Sequence, residues 1–204
     1  MPGAAGHLGG HRSGAGYLTD RRHFVTGFVR DARSADAADL ARVQVASWRC
    51  SYDGIVAQDL LASLTDPVAV SAWEQRWQEA ITNPPSSLHR VLVAVTDGTR
   101  DVVGFASVGP ATDEDRWPRT DASLYELRVL PDQTRQGHGG RLLHAAASTL
   151  ADGGFQTVST WTLEVDTALR GFLESSGWAL DGARAELDVG VTVPAVRLHT
   201  RIAE

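Results

Sequence analysis

A glycine-containing segment in the middle of the chain constrains the fold more than any other feature. Alternating hydrophobic residues over Leu124–Val129 predict a strand, and apolar residues along one face of Gly140–Leu150 predict a helix. Asp132–Gly137, between them, forms the predicted turn. The first amides of a helix have no partner within it, and the positive end of the helix dipole lies behind them. This junction therefore favours a bound phosphate or pyrophosphate.

Two better-known phosphate-binding loops do not fit this segment. The dinucleotide-binding pattern G-x-G-x-x-G requires a glycine at the position of Leu142. The Walker loop requires a lysine, and all nineteen basic residues of this chain are arginines. Because short glycine motifs often occur without a ligand, a plain turn between two elements is an equally acceptable interpretation of these residues alone.

The order of predicted elements is that of a single α/β domain with one mixed sheet of about six to seven strands flanked by helices. Residues 1–23 have little apolar content and are predicted to be a disordered or loosely attached arm, with the domain over residues 24–204. Strands are predicted at Phe28–Arg30, Val91–Val95, Val102–Val108, Leu124–Val129, Val158–Val165, and within Trp178–Ala183 and Val193–Ile202. Helices are predicted after Asp36, around Leu60–Leu64 and Trp73–Trp77, and over Gly140–Leu150 and Thr167–Ser175.

Composition and charge exclude several classes of protein. The single cysteine, Cys50, rules out a disulfide framework and a cysteine-rich zinc site, and no metal site is predicted. No apolar run approaches the roughly 18 residues that span a bilayer, so a cytoplasmic protein without membrane contact is expected. The net charge of −6 and the scattered arginines disfavour nucleic-acid binding. The absence of lysine excludes Schiff-base chemistry on a lysine side chain.

Three separately placed blocks of sequence resemble the GNAT superfamily of N-acetyltransferases. The turn, Thr134–Gly139, resembles the family signature Q/R-x-x-G-x-G/A, with Thr134 where Gln or Arg is usual. Trp161–Trp178 resembles a later block that contains N-x-x-A-x-x-F-Y-E-x-x-G-F, and Ser47–Ile55 resembles the segment W-x-x-x-Y-x-G. The resemblance extends over residues 28 to 202, nearly all of the predicted domain.

The resemblance implies acetyl-coenzyme A as co-substrate and suggests the residues that bind it. In the family, the strand before the turn separates from its neighbour, and its free backbone groups bind the pantetheine arm. Here that strand contributes Leu127, Arg128 and Val129, while Asp166 takes the position of a family asparagine. The residues expected to bind the pyrophosphate are Arg135, Gln136, Gly137, His138, Gly139 and Gly140.

The resemblance also implies transfer of an acetyl group to a primary amine, directly within a ternary complex. Glu126 is the predicted general base and Glu164 a weaker second candidate, although a structural salt bridge explains Glu126 equally well. The family often has a tyrosine as general acid at the position of Leu173, and no tyrosine follows Tyr125. That departure keeps open an alternative, a catalytically weak module that binds or senses acyl-coenzyme A. A toxin that acetylates aminoacyl-tRNA is a third class, which the acidic charge disfavours.

The acceptor side is predicted from aromatic residues in the first half of the chain. Trp48 and Tyr52 are the candidate contacts for a small-molecule or peptide amine. Trp73 and Trp77, four residues apart, are better explained by core packing. The acidic run Asp113–Asp115 attracts a cationic amine in one interpretation and is a solvated loop in the other. Family members are often dimers, so a homodimer is an open alternative.

Overall fold

The computed structural model describes residues 27–188 and 192–202, so the predicted arm over residues 1–23 lies outside the described residues. Within them, one seven-stranded mixed sheet is flanked by helices, which confirms the predicted fold class. The strands are β1 (Gly27–Asp31), β2 (Arg90–Thr96), β3 (Val102–Pro110), β4 (Asp121–Val129), β5 (Thr157–Leu163), β6 (Ala179–Asp188) and β7 (Thr192–Arg201). The helices are α1 (Ala37–Ser51), α2 (Gln58–Thr65), α3 (Pro67–Thr82), α4 (His138–Asp152) and α5 (Thr167–Ser175).

The strand order places the glycine turn beside the centre of the sheet. The strands run β1-β2-β3-β4-β5-β7-β6, and in the described part of the chain β4 and β5 are the pair that runs parallel. Parallel neighbours require a crossover connection, which α4 supplies here. The C-terminal ends of β4 and β5 and the first turn of α4 therefore meet at one edge of the sheet.

Two hydrophobic cores lie on opposite faces of the sheet. On one face, Leu142 and Leu150 of α4 and Leu173 of α5 pack against β3, β4 and β7. On the other face, α1 and α3 pack against β2 and β3, with Phe105 fully buried between them. Each helix is apolar on one side only, so the pairing of faces follows from the periodicity of the sequence.

Trp77 confirms the prediction of core packing for the aromatic pair on α3. Its side chain is buried, its ring meets Phe105 edge-on at a centroid distance of 4.8 Å, and its Nε1 donates to Oε1 of Gln44 at 2.6 Å. Trp73 is half-buried instead, and its Nε1 donates to the carbonyl of Leu64 at 3.3 Å. The four-residue spacing put both rings near one face, but only Trp77 reaches the sheet.

The loop between β3 and β4 corrects the interpretation of the acidic run. Asp113 and Asp115 are not simply solvated, because both face Arg197, which is 3% exposed at the centre of β7. The guanidinium donates to both carboxylate oxygens of Asp115, at 2.7 and 2.5 Å. Trp161 Nε1 also donates to Asp113, at 2.9 Å. A buried guanidinium requires paired charges, so Asp113 and Asp115 hold this loop against the sheet and are not free to bind a cationic amine.

Candidate active site

β4 and β5 separate after three residue pairs and leave an opening between them. Their pairing covers Asp121–Ser123 with Thr157–Ser159, and the Thr160 hydroxyl then donates to the Leu124 carbonyl at 2.8 Å. On its other side β4 stays paired with β3 as far as Val129. In the described structure, the backbone groups of β4 that face β5 beyond Leu124 therefore have no strand partner. A peptide-like ligand can bind to them as an added strand.

A β-bulge at Tyr125 gives a physical reason for the separation. Leu124 is paired with Val108 and Glu126 with Ser107, so Tyr125 has no partner on β3. An extra residue of this kind bends its strand and increases the local twist. The bend occurs just where β4 leaves β5.

The turn between β4 and α4 presents backbone amides to solvent. Arg135 and Gly137 both have left-handed backbones, with φ of 62° and 81°. Such a conformation is unfavourable for arginine, and strain of this kind concentrates at functional sites. Gly137 is the N-cap of α4 and provides no side-chain oxygen, whereas Asp66 caps α3 and Asp166 caps α5. The first amides of α4 are therefore left for an external acceptor.

Two residues at the start of α4, His138 and Arg141, contact the glycine turn from the interior of the protein. His138 is 1% exposed, and its Nδ1 accepts a hydrogen bond from Arg141 Nη2 at 3.1 Å. The same Arg141 nitrogen donates to the carbonyl of Gln136 at 3.2 Å. Burial, with a further contribution from the Arg141 charge, lowers the pKa of His138. Only the backbone amide of His138 can therefore reach a ligand on the turn, because its imidazole lies beneath it.

Glu126, Arg128 and Tyr52 form a charged cluster on the α1 side of β4. Arg128 Nε donates to Glu126 Oε2 at 2.8 Å, and Arg128 Nη2 donates to the Tyr52 hydroxyl at 3.0 Å. Burial disfavours the charge on Arg128, but the charge and hydrogen-bond contributions of Glu126 and Tyr52 together outweigh it and raise the pKa of the guanidinium. The salt bridge that the sequence left open for Glu126 is thus present. The side chain of Arg128, which sequence reasoning considered only as strand backbone, is its partner.

Tyr52 lies against β4 beside the residues at which β4 has separated from β5. Burial raises the pKa of its hydroxyl, the charge of Arg128 opposes that effect, and the carboxylates of Glu126 and Asp166 reinforce it. Glu126 and Arg128 belong to β4, whereas Asp166 follows β5, so the Tyr52 side chain is influenced by groups from both sides. Its backbone is fixed as the C-cap of α1, where its amide donates to the Trp48 carbonyl at 2.9 Å.

The other predicted site residues have mainly structural contacts. Asp166 Oδ1 accepts from the amide of Leu169 at 2.9 Å, and Glu164 pairs with Arg184 of β6 at 2.7 Å. Trp48 packs against Tyr52 at a centroid distance of 6.0 Å and meets Trp73 edge-on at 5.0 Å. Trp48 thus forms the wall behind Tyr52.

Leu173 is fully buried in the core on the α4 face and has no proton to donate. Among the described residues, no group of three or more His, Cys, Asp or Glu side chains is arranged to hold a metal ion. No helix in the same ranges is long and apolar enough to cross a membrane.

The comparisons with known proteins identify the family. The model of the acetyltransferase (GNAT) family matches residues 56–178, which include the opening, the glycine turn and α5. The chain therefore belongs to the GNAT family of acetyltransferases. It is 35% identical over 141 residues to "Uncharacterized N-acetyltransferase YuaI" of Bacillus subtilis (strain 168), covering 69% of this chain and 74% of the relative.

Solved structures share the fold at low sequence identity. PaiA N-acetyltransferase from Thermoplasma acidophilum, solved in complex with coenzyme A, has a TM-score of 0.64 at 16% identity. The match covers 86% of this chain and 99% of the PaiA chain. YncA from Salmonella typhimurium, a putative acetyltransferase solved with acetyl-CoA, has a TM-score of 0.58 at 17% identity. That match covers 88% of this chain and 95% of the YncA chain.

Proposed function

We propose that this chain transfers the acetyl group of acetyl-coenzyme A to a primary amine, by direct attack within a ternary complex. The observation that carries the proposal is the continuity of two features. The unpaired edge of β4 leads through the glycine turn into a helix that begins without a side-chain cap. One elongated ligand with an amide-containing arm and a pyrophosphate matches both features in that order.

The pyrophosphate is assigned to the turn because donors and positive potential meet there. Backbone amides at the start of α4 provide hydrogen bonds, and the helix dipole favours a negative charge. A Cβ at Gly140 would meet no atom within 4 Å, so the space above this amide is open. The exposed side chain of Arg135 adds charge at the rim. The proposed pyrophosphate-binding residues are Arg135, Gln136, Gly137, His138, Gly139 and Gly140.

The pantetheine arm is assigned to Leu127, Arg128 and Val129, whose edge faces the opening. Its amides can pair with that edge as another strand would. The side chain of Leu127 is buried toward α4, so binding through its backbone does not disturb the core. The complexes of the two fold neighbours, one with coenzyme A and one with acetyl-CoA, support this choice of ligand.

The reaction requires a neutral amine whose nitrogen attacks the thioester carbonyl carbon. A carbon–nitrogen bond forms, the carbon–sulfur bond breaks, and its electron pair leaves on sulfur. Holding both reactants in one opening makes the attack effectively unimolecular. Glu126 is the proposed base, acting through water on the proton of the amine, with Arg128 fixing the orientation of the carboxylate. Tyr52, backed by Trp48, forms the wall on the acceptor side, where a small-molecule or peptide amine would bind.

Calorimetric titration with acetyl-coenzyme A tests the cofactor assignment. We expect saturable binding in the roughly micromolar to millimolar range that is usual for enzyme substrates. Gly140→Asp should abolish this binding, because the added carboxylate would occupy the anion site. The variant should still fold, since an acidic residue in the first turn stabilises helix α4. Gly171→Asp is the matched control, since a Cβ there also meets no atom within 4 Å. Equal binding by both variants would contradict the assignment.

A second function is favoured by Leu173, a buried core side chain with no hydroxyl. An acyl-coenzyme A binding or sensing module would bind the ligand at the same turn but would not transfer the acetyl group. A panel of polyamines, amino acids and peptides, assayed for release of coenzyme A thiol, separates the two functions. Binding without turnover across the panel would favour the sensing module.

A further inference from the structure

Tyr52 carries a hydroxyl whose proton is available at the opening between β4 and β5. Its oxygen accepts the hydrogen bond from Arg128 Nη2 at 3.0 Å. Among the hydrogen bonds of the described residues, there is none in which the Tyr52 hydroxyl donates. The ring is held by Trp48 on one side and lies 5.7 Å from the Arg128 guanidinium on the other. The phenol is thus fixed in place, and its proton has no acceptor within residues 27–188 and 192–202.

We propose that Tyr52 donates the proton to the departing coenzyme A thiolate, and that Arg128 stabilises the phenolate that results. The inference rests on the proposed acetyl transfer and deepens it. It assigns to the turn after α1 a task that Leu173 of α5 cannot perform.

Other proton donors near the opening are already engaged or misplaced. The hydroxyl of Tyr125 donates to the Pro110 carbonyl at 2.5 Å, and that of Thr160 donates to the Leu124 carbonyl at 2.8 Å. The imidazole of His138 lies beneath the glycine turn, and the Cys50 thiol is on the exposed side of α1. Among these side chains, Tyr52 is the one that combines a free proton with a fixed position beside β4.

The proton balance of the step is closed. When the carbon–sulfur bond breaks, its electron pair goes to sulfur, and the Tyr52 proton forms the thiol. The attacking nitrogen releases one proton to water, and solvent returns one proton to the phenolate. A phenol holds its proton more tightly than a thiol does, with ordinary pKa values of about 10 and about 8.5, so the transfer needs an interaction that stabilises the phenolate. The Arg128 hydrogen bond favours the charged form of Tyr52 during the step.

The charged groups around Tyr52 set the pH range of the donor. Arg128 and Glu126 face it from β4, and Asp166 faces it from the start of α5. Burial, opposed by Arg128, raises the pKa of Tyr52, so the hydroxyl stays protonated at neutral pH. Activity that depends on this proton must fall at alkaline pH, as the phenol ionises.

The first test uses the full chain with acetyl-coenzyme A and an amine that it acetylates. Tyr52→Phe should lower kcat by roughly 10²- to 10³-fold, with the Kd for acetyl-coenzyme A changed by less than about twofold. Tyr125→Phe, which also removes one phenol from the region, should keep kcat within about twofold of the unchanged chain. A Tyr52→Phe variant with nearly full kcat would overturn the inference.

The second test separates a donor from a residue that only positions Arg128. A fluorinated tyrosine, whose phenol is more acidic, is placed at position 52 or, as the control, at position 125. With a donor at 52, the alkaline decline of kcat should move to lower pH in the first protein only. An unmoved decline would assign Tyr52 a positioning role and overturn the inference. If the unchanged chain acetylates no amine in the panel, the proposed function fails first, and the inference falls with it.

Discussion

Arg197 on β7 donates hydrogen bonds to both carboxylate oxygens of Asp115, a residue 82 positions earlier in the chain. The same guanidinium donates to Asp181 of β6 at 2.7 Å. One buried charge therefore joins the β3–β4 loop and two strands at the half of the sheet that α1 and α3 do not cover. The loop ends at Asp121, where β4 and β5 are still paired, and its Asp113 accepts a hydrogen bond from Trp161 of β5, so this cluster ties the loop to β5 as well.

Loss of Arg197 should destabilise the fold strongly. Arg197→Met removes the buried guanidinium that pairs with Asp115 and Asp181, although Asp181 keeps its contacts with Arg116 and the Ala183 amide. Breaking a buried ion pair typically costs about 3–5 kcal/mol. Arg184→Met is the control, because its pair with Glu164 is exposed and worth about 0–1 kcal/mol. Urea unfolding followed by circular dichroism measures both. Equal losses for the two variants would show that the Arg197 cluster adds no stability beyond a surface pair.

Stability should fall in acid because of the same cluster. Hydrogen bonds from Arg197 lower the pKa of Asp115 to about 2, and the pKa of Asp181 is also lowered, against its burial, by Ala183 and Arg197. A carboxyl with a lowered pKa in the folded state stabilises the fold above its unfolded pKa of about 3.9. That stabilisation is lost as the pH falls from about 4 to about 2.

The acid-induced loss should be smaller in Asp181→Asn than in the unchanged chain, measured as urea midpoints between roughly pH 2 and pH 6. Asp36 continues to stabilise both proteins, since a hydrogen bond from Arg30 lowers its pKa. Arg30 is on β1, at the opposite edge of the sheet from Asp181. Parallel pH profiles would be inconsistent with a role for Asp181.

Glu126 and Arg128 should be coupled energetically. Glu126→Gln removes the charge partner of a mostly buried guanidinium, and Arg128→Gln removes the opposite one. In a double-mutant cycle on the free energy of unfolding, measured with urea, we expect a coupling of about 0.5–3 kcal/mol for residues in direct contact. The pair Glu126 and Arg141 is a suitable control, since Arg141 bonds to His138 and Gln136 instead. Additive effects for Glu126 and Arg128 would contradict the contact.

Replacement of Leu173 by tyrosine should destabilise the fold rather than increase the rate. Leu173 is 0% exposed, and inserting a larger side chain in a packed core costs about 1–3 kcal/mol. Leu173→Met, which nearly conserves volume, should cost less than about 1.5 kcal/mol. Thermal unfolding and the release of coenzyme A thiol provide the two measurements. A stable Leu173→Tyr variant with higher kcat would show that α5 can accommodate a donor after all.

Local patterns predicted much of the framework and part of the site. Alternation over Leu124–Val129 and the apolar face of α4 were enough to predict the strand–turn–helix junction, because each depends on residues near in sequence. The spacing of Glu126 and Arg128, two apart on a strand, also placed both side chains on one face. Their ion pair could have been expected from that spacing. Its partner Tyr52, 76 positions earlier, could not.

The order of the elements, the amphipathic faces of the helices and the glycine start of α4 follow from the periodicity and chemistry of neighbouring residues, so they can be predicted from the sequence. Three other features depend on packing between distant segments and are visible only in the folded protein. Arg197 is buried beside the acidic residues of a loop, β4 separates from β5 at a bulge, and Tyr52 contacts Arg128. No local pattern encodes these contacts, since each forms only when the sheet and its helices have closed around one another.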